Sequence, residues 1–200
     1  MSIESKKLKW SDLPEASELS QALEQEKYRE RYLRTLKSTI STLVVVAAIA
    51  ILTATLWLPV LQIYGNSMTP NLESGDMVVL VSAQKLRQGD VVAFYYNNKV
   101  LVKRVIATEG QWVDIDSQGT VSVDGQKLEE PYLADNEKDL GDTNIQLPYQ
   151  VPEGKFFVMG DHRSASIDSR NTAIGSIGNE QIVGRLVLRV WPLNRIQWIK

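Results

Sequence analysis

Cysteine is absent from the 200-residue sequence, which excludes disulfides, thiolate nucleophiles and cysteine-ligated zinc and leaves an oxidising or a reducing compartment equally open. Histidine is nearly absent. Most hydrolytic sites draw on an imidazole as base or metal ligand, and here His162 alone is on offer. No cofactor is expected. An excess of positive charge is also missing: the formal net charge is -2 and the Lys and Arg residues are scattered, so nucleic acid is not the expected ligand. The length suits one folded domain of moderate size with an appendage, and not two full domains.

What the chain does have is a long uncharged stretch. From Ser38 to Leu72 no residue is charged, and Ile40 to Val60 is rich in Leu, Val, Ile and Ala. That is about the ~20 residues a helix needs to cross hydrocarbon. The expected organisation is a polar, helical tail over 1–37, one transmembrane helix over 38–60 and a β-rich domain over 61–200. Lys27, Arg29, Arg31, Arg34 and Lys37 precede the span, and the first charge after it is Glu73, so positive-inside bias puts the N-terminus in the cytoplasm. Trp57 and Tyr64 are expected at the outer interface and Tyr32 near the inner one. The run is too long and begins too late for a cleaved secretory signal, and it lacks the polar face of a soluble core helix. Before it, a helix opened by Ser11 or Asp12, with Pro14 and Glu15 in its first turn, carries a thin apolar face at Leu19 and Leu23. A solvated extension of the span is the expected role.

Beyond Tyr64 the pattern changes to short β-branched runs set off by Gly-Asp pairs: GDMVVLV, GDVVAFYY, KVLVKRVI, QWVDID, TVSVDGQKL, KFFVMGD and QIVGRLVLRV. The fold class is therefore mainly β, an antiparallel domain behind a single N-terminal membrane helix. Asp124-Gly125 suits a two-residue hairpin, and Asn97-Asn98 can make a similar reversal. The polar stretch Asp135 to Asn144 reads as an exposed loop; its glycine and its lack of a closing Glu do not fit a twelve-residue calcium loop.

Three segments carry candidate chemistry. Ser67 lies in GNSMTP, a turn that brings backbone close to a ligand and points the side chain outward. A serine hydroxyl is inert until something takes its proton. One base on offer is His162, completed as a triad by Asp168. The other is Lys103, inside KVLVKRVIATEG, on the strand face of Leu101 and Val105, with Arg104 pointing the opposite way. Burial there would disfavour the ammonium, and a fall of three pH units from about 10.4 corresponds to ~4 kcal/mol of differential solvation. The strand pattern leaves a second reading open, a strand-edge lysine whose ammonium reaches water, and that is the commoner habit of lysine. The third segment, GDHRSASIDSRNTAIG, alternates Asp161, Arg163, Asp168 and Arg170 with serines between them, a composition suited to an ion-paired loop braced against a site.

Taken together, SMTP, KRVIATEG and GDHRSASIDSR behind one N-terminal span resemble the type I signal peptidases, the membrane-bound Ser-Lys proteases of bacteria. The resemblance covers the anchor and nearly all of 60–200. It implies that Ser67 is the nucleophile, Lys103 the general base, Ser166 the serine that hydrogen-bonds and orients that lysine, and Asp168 with Arg170 the ion pair that shapes the site. Asp161 and Arg163 fall in the same box, and Met68 resembles the apolar residue beside the nucleophile, close to the membrane-facing surface. Asn71 stands where the family usually has Thr, His162 where it usually has Asn, and Gly65 where some members carry a hydroxyl that completes the oxyanion hole; the Ser67 N–H is the one donor the sequence identifies. The implied activity is removal of signal peptides from secretory precursors after small residues of the Ala-x-Ala type, at the outer face of the bacterial cytoplasmic membrane, with the lipid bilayer as the other partner. The alternative from another class is a non-catalytic relative that binds secreted or pilus subunits as an assembly factor, although such proteins lose the serine or the lysine.

Overall fold

The computed structural model describes residues 16–57, 59–82, 85–133 and 138–199. They form two compact units, one ending at Ala54 and one beginning at Thr55.

The first unit is one helix. The polar tail and the apolar run join in α1 (Ala16–Trp57), with no break where the charges stop. The stretch Leu23–Thr53 is long and apolar enough to cross a membrane. Leu43, Val44, Val45, Val46, Ile49, Ile51 and Leu52 are all more than half exposed. A helical stretch that is apolar on every side is suited to lipid. α1 is described to Trp57, and the chain is already in strand from Val60. The expected helix start at Ser11 to Glu15 lies outside the described residues, as do the side chains of Leu19 and Trp57.

The second unit is antiparallel β throughout. The strands are β1 (Val60–Gln62), β2 (Met77–Val81), β3 (Val91–Tyr96), β4 (Lys99–Ala107), β5 (Trp112–Ile115), β6 (Val121–Val123), β7 (Gln126–Lys127), β8 (Tyr149–Gln150), β9 (Lys155–Met159), β10 (Ile177–Gly178), β11 (Ile182–Trp191) and β12 (Gln197–Trp198). The large sheet runs β1-β2-β11-β3-β4-β9-β10, with β12 added on β11, and the small one runs β7-β6-β5-β8. Both hairpin turns read from the sequence are present. Asn97 and Asn98 take φ of 45° and 60° between β3 and β4, and Asp124 and Gly125 take 51° and 77° between β6 and β7, the left-handed pair that a two-residue turn between right-twisted strands requires.

Three apolar clusters hold the sheets. One joins the small sheet to the ends of β4 and β9 through Val113, Ile115, Val121, Ile106, Phe157 and Met159. Another lies around Val92, Phe94, Val105, Val158 and Ile177. The third includes Val78, Leu80, Val91, Ala93 and Leu186 and also takes in Met68 and Leu72, from the connection between β1 and β2. That connection is closed at its base, where the Ile63 N–H donates to the Asp76 carbonyl (2.8 Å) and the Gly75 N–H to the Ile63 carbonyl (2.9 Å). Met68 is 2% exposed and seats the turn in the core. Burial of Met68 and Leu72 contributes about 2 kcal/mol each toward holding this connection against the sheet.

Candidate active site

Ser67 and Lys103 are brought together. Lys103 Nζ lies 2.7 Å from Ser67 Oγ. The lysine sits in the interior half of β4, opposite Val92 of β3, and is 3% exposed. The commoner habit of lysine is thus overridden: Nζ reaches the Ser67 hydroxyl and not bulk water. Burial lowers its pKa from 10.5 to about 8; the Asp168 charge raises it, the Arg170 charge lowers it and Asp161 raises it further. At pH 7 about a tenth of such amines are neutral, against roughly one in a few thousand for a free lysine.

Asp168 and Arg170 form the expected pair. Arg170 Nε donates to Asp168 Oδ1 (2.8 Å) and Nη2 to Oδ2 (2.9 Å), and both side chains are fully buried. The Asp168 carboxylate also accepts from the Gly160 N–H (2.9 Å) and the Ser166 hydroxyl (2.7 Å). Burial pushes the Asp168 carboxyl up, but the Arg170 bonds and charge, with Ser166 and Gly160, outweigh it and hold the pKa below the ordinary value. The carboxylate is spent on these partners, so it does not form a salt bridge that would recharge Lys103. The proton of Ser166 goes to Asp168, so the direct tie of this serine is to the carboxylate.

The other two charges of the loop pair outside it. Asp161 takes both Arg104 Nε (2.8 Å) and Nη2 (2.7 Å), and Arg163 is bonded to Glu130. Arg104 does point away from Lys103, as alternation requires, yet it is only 2% exposed. Residues 129–132 cover that face: the Tyr132 ring lies 4.0 Å from the guanidinium carbon, and Asn71 Nδ2 donates to the Tyr132 carbonyl (2.7 Å) and Asp161 Oδ2 (2.8 Å). Burial and the Glu130 charge push the Tyr132 phenol far up, so it stays neutral. Leu140 and Asp139 lend their carbonyls to Arg170 Nη1, and the acidic side chains of this loop accept from Gly141 N–H and Asn171. The described part of this loop, 138–144, is exposed or half-exposed and is pinned over the ion pair.

His162 is not assembled with Asp168. Its Nδ1 contacts Thr69 Oγ1 (2.8 Å). Gly160 matters for space: a Cβ there would overlap the Ser166 hydroxyl and the Ser67 carbonyl oxygen. Glu130, Tyr132, Asn71, Thr69 and Gly160 are the site residues that sequence reasoning did not single out for these roles. Among the described residues no group of three or more His, Asp and Glu side chains could hold a metal ion.

The dyad opens into a cleft lined by 61–65, Ser67, Met68 and 99–103. β9 pairs with β4 only from Arg104 onward, so the half from Lys99 to Lys103 is paired by β3 on one side and by no strand among the described residues on the other. A strand edge on which an extended peptide can lie borders the serine. A separate cavity behind Arg104, lined by Asn71, Leu72, Tyr132 and Trp198, contains neither Ser67 nor Lys103.

The β domain, with its strand-edged cleft, follows in the chain a single helix long and apolar enough to cross a membrane. Residues 36–191 match the family described as signal peptidase, peptidase S26. Signal peptidase I of Bacillus licheniformis is 34% identical over 144 residues, 66% of this chain and 76% of the relative. Signal peptidase IB of Staphylococcus aureus is 36% identical over 154 residues, 68% and 79% of the two chains. A crystal structure of a signal peptidase I from Enterococcus faecalis superimposes with a TM-score of 0.43 at 29% identity, over 52% of this chain and 99% of that one. The chain belongs to the signal peptidase family.

Proposed function

We propose that this chain removes N-terminal signal peptides from secretory precursor proteins, with Ser67 as nucleophile and Lys103 as general base. The observation that carries the reading is an amine 2.7 Å from a serine hydroxyl on a lysine that is 3% exposed. Neutral Nζ takes the Ser67 proton as Oγ attacks the scissile carbonyl, and the Ser67 N–H is the donor available to the oxyanion. The resulting ammonium gives its proton to the leaving amine. The same amine then deprotonates the water that releases the acyl group and regenerates Ser67.

Ser166, Asp168 and Arg170 support the dyad by fixing the loop after β9, and the charges of Asp168 and Arg170 offset each other beside Lys103. Asp161 braces the opposite face through Arg104, and Met68 anchors the turn. The precursor lies as an added strand along the open edge of β4, and the family resemblance implies small residues of the Ala-x-Ala type before the cut. Lys27, Arg29, Arg31, Arg34 and Lys37, which precede the apolar stretch within α1, support a cytoplasmic N-terminus and a β domain outside the bacterial cell membrane. Ser67 follows Trp57 by only ten residues in the chain, which suits a scissile bond close to the bilayer.

Incubating a signal-bearing precursor in detergent with wild type, Ser67→Ala and Lys103→Ala tests this. Cleavage by wild type alone is expected. Unchanged precursor with folded wild-type protein points to the binding-module alternative, and activity retained in Lys103→Ala points to His162 as base.

A further inference from the structure

His162, in the loop after β9, holds the turn that presents Ser67 at two points. The His162 backbone N–H donates to the Ser67 carbonyl (3.1 Å), and its Nδ1 lies 2.8 Å from Thr69 Oγ1. The Thr69 hydroxyl is also 2.8 Å from the Asn66 carbonyl oxygen. That carbonyl also accepts from the Thr69 N–H (3.1 Å), and with the hydroxyl proton directed to it as well, Thr69 offers the imidazole a lone pair. In that arrangement Nδ1 carries the hydrogen. The result is a directed chain, His162 Nδ1–H to Thr69 Oγ1–H to Asn66 C=O, that spans the serine from the residue before it to the second residue after it. On the inner side Met68 is held in the core.

We infer that His162 is a positioning residue for Ser67: in its Nδ1–H form it fixes the 66–69 turn and so aims the Ser67 hydroxyl at Lys103. This rests on the reading of Ser67 as the nucleophile. The imidazole takes no proton from the serine in this role, because its Nδ1 is already a donor to Thr69. An asparagine amide at the same position offers an N–H at similar reach, which makes His162→Asn the conservative replacement and His162→Leu the disruptive one.

The experiment has two arms. Because the chain has one histidine, long-range 1H–15N spectra of the full chain in detergent report His162 alone. At about pH 8.5 the account expects the Nδ1–H tautomer, with the balance moving toward the Nε2–H form in Thr69→Val. In precursor processing, His162→Leu is expected to lower kcat about ten-fold with KM within about two-fold, and His162→Asn to recover to within about three-fold of wild type. His162→Leu combined with Thr69→Val should be no worse than the poorer single variant by more than about two-fold, since both break one chain. An Nε2–H tautomer in wild type, or a His162→Leu enzyme with undiminished kcat, overturns the inference. Wild-type protein that leaves precursor intact overturns the nucleophile reading instead, and the spectrum still judges the hydrogen-bond chain.

Discussion

Replacing Lys103 by methionine should make the protein more stable and inactive at once. Folding takes the amine from an unfolded value of 10.5 to about 8, because β4 and its neighbours remove it from water. Between those values the unfolded chain binds more protons than the folded one, so stability rises with pH across that window. Below about pH 8 the buried ammonium costs about 3 kcal/mol, at about 1.4 kcal/mol for each pH unit of displacement. Above about pH 10.5 the cost has gone. Methionine has nearly the same reach and no charge; it forfeits the hydrogen bond to Ser67, worth about 1 kcal/mol, and Ser67 can still meet solvent. The variant should therefore exceed wild type by about 2 kcal/mol at pH 7, a lead that shrinks through pH 8 to 10.5 and then reverses slightly. Urea unfolding of the full chain in detergent, followed by tryptophan fluorescence at several pH values, measures it. A Lys103→Met protein no more stable than wild type at pH 7, or one whose lead does not depend on pH, would refute the argument that burial is what lowers this amine.

Three other outcomes follow from the same geometry. The kcat/KM of precursor processing should climb with pH through an apparent value of about 8, and a rate flat from pH 5 to 9 would contradict a titrating lysine base. Gly160→Ala should cut kcat about a hundred-fold, since its Cβ would displace the Ser67 carbonyl and the Ser166 hydroxyl, and a shift of about 1 Å at a reacting group is enough for that. Asp168→Ala leaves Arg170 buried without its partner and should cost about 3 to 5 kcal/mol, read as a lower unfolding midpoint together with lost activity.

Much of this architecture is legible in the residues themselves. Every strand of four residues or more coincides with a β-branched run, and the Asn97-Asn98 and Asp124-Gly125 turns are fixed by residues that tolerate positive φ. The short strands β1, β8, β10 and β12 are not, because two or three residues cannot display a period. Alternation sends Arg104 away from Lys103 but says nothing of what covers it, and its partners Asp161 and Tyr132 lie 57 and 28 residues further along the chain. Glu130 escaped notice for the same reason: a Glu between Glu129 and Pro131 carries no sign that Arg163 will reach it. The burial of Lys103 sits at the limit of what pattern alone can say. Its strand face was evident, whereas the closure of that face depended on the Ser67 turn folding back over it.

The most direct test of the account is the titration of one nitrogen. With side-chain-labelled lysine in the full chain, and Lys103→Met to assign the resonance, NMR should record the Lys103 signal moving with a midpoint near pH 8. A midpoint at the ordinary lysine value of about 10.4 would mean that the amine stays charged beside Ser67 at neutral pH and cannot take its proton.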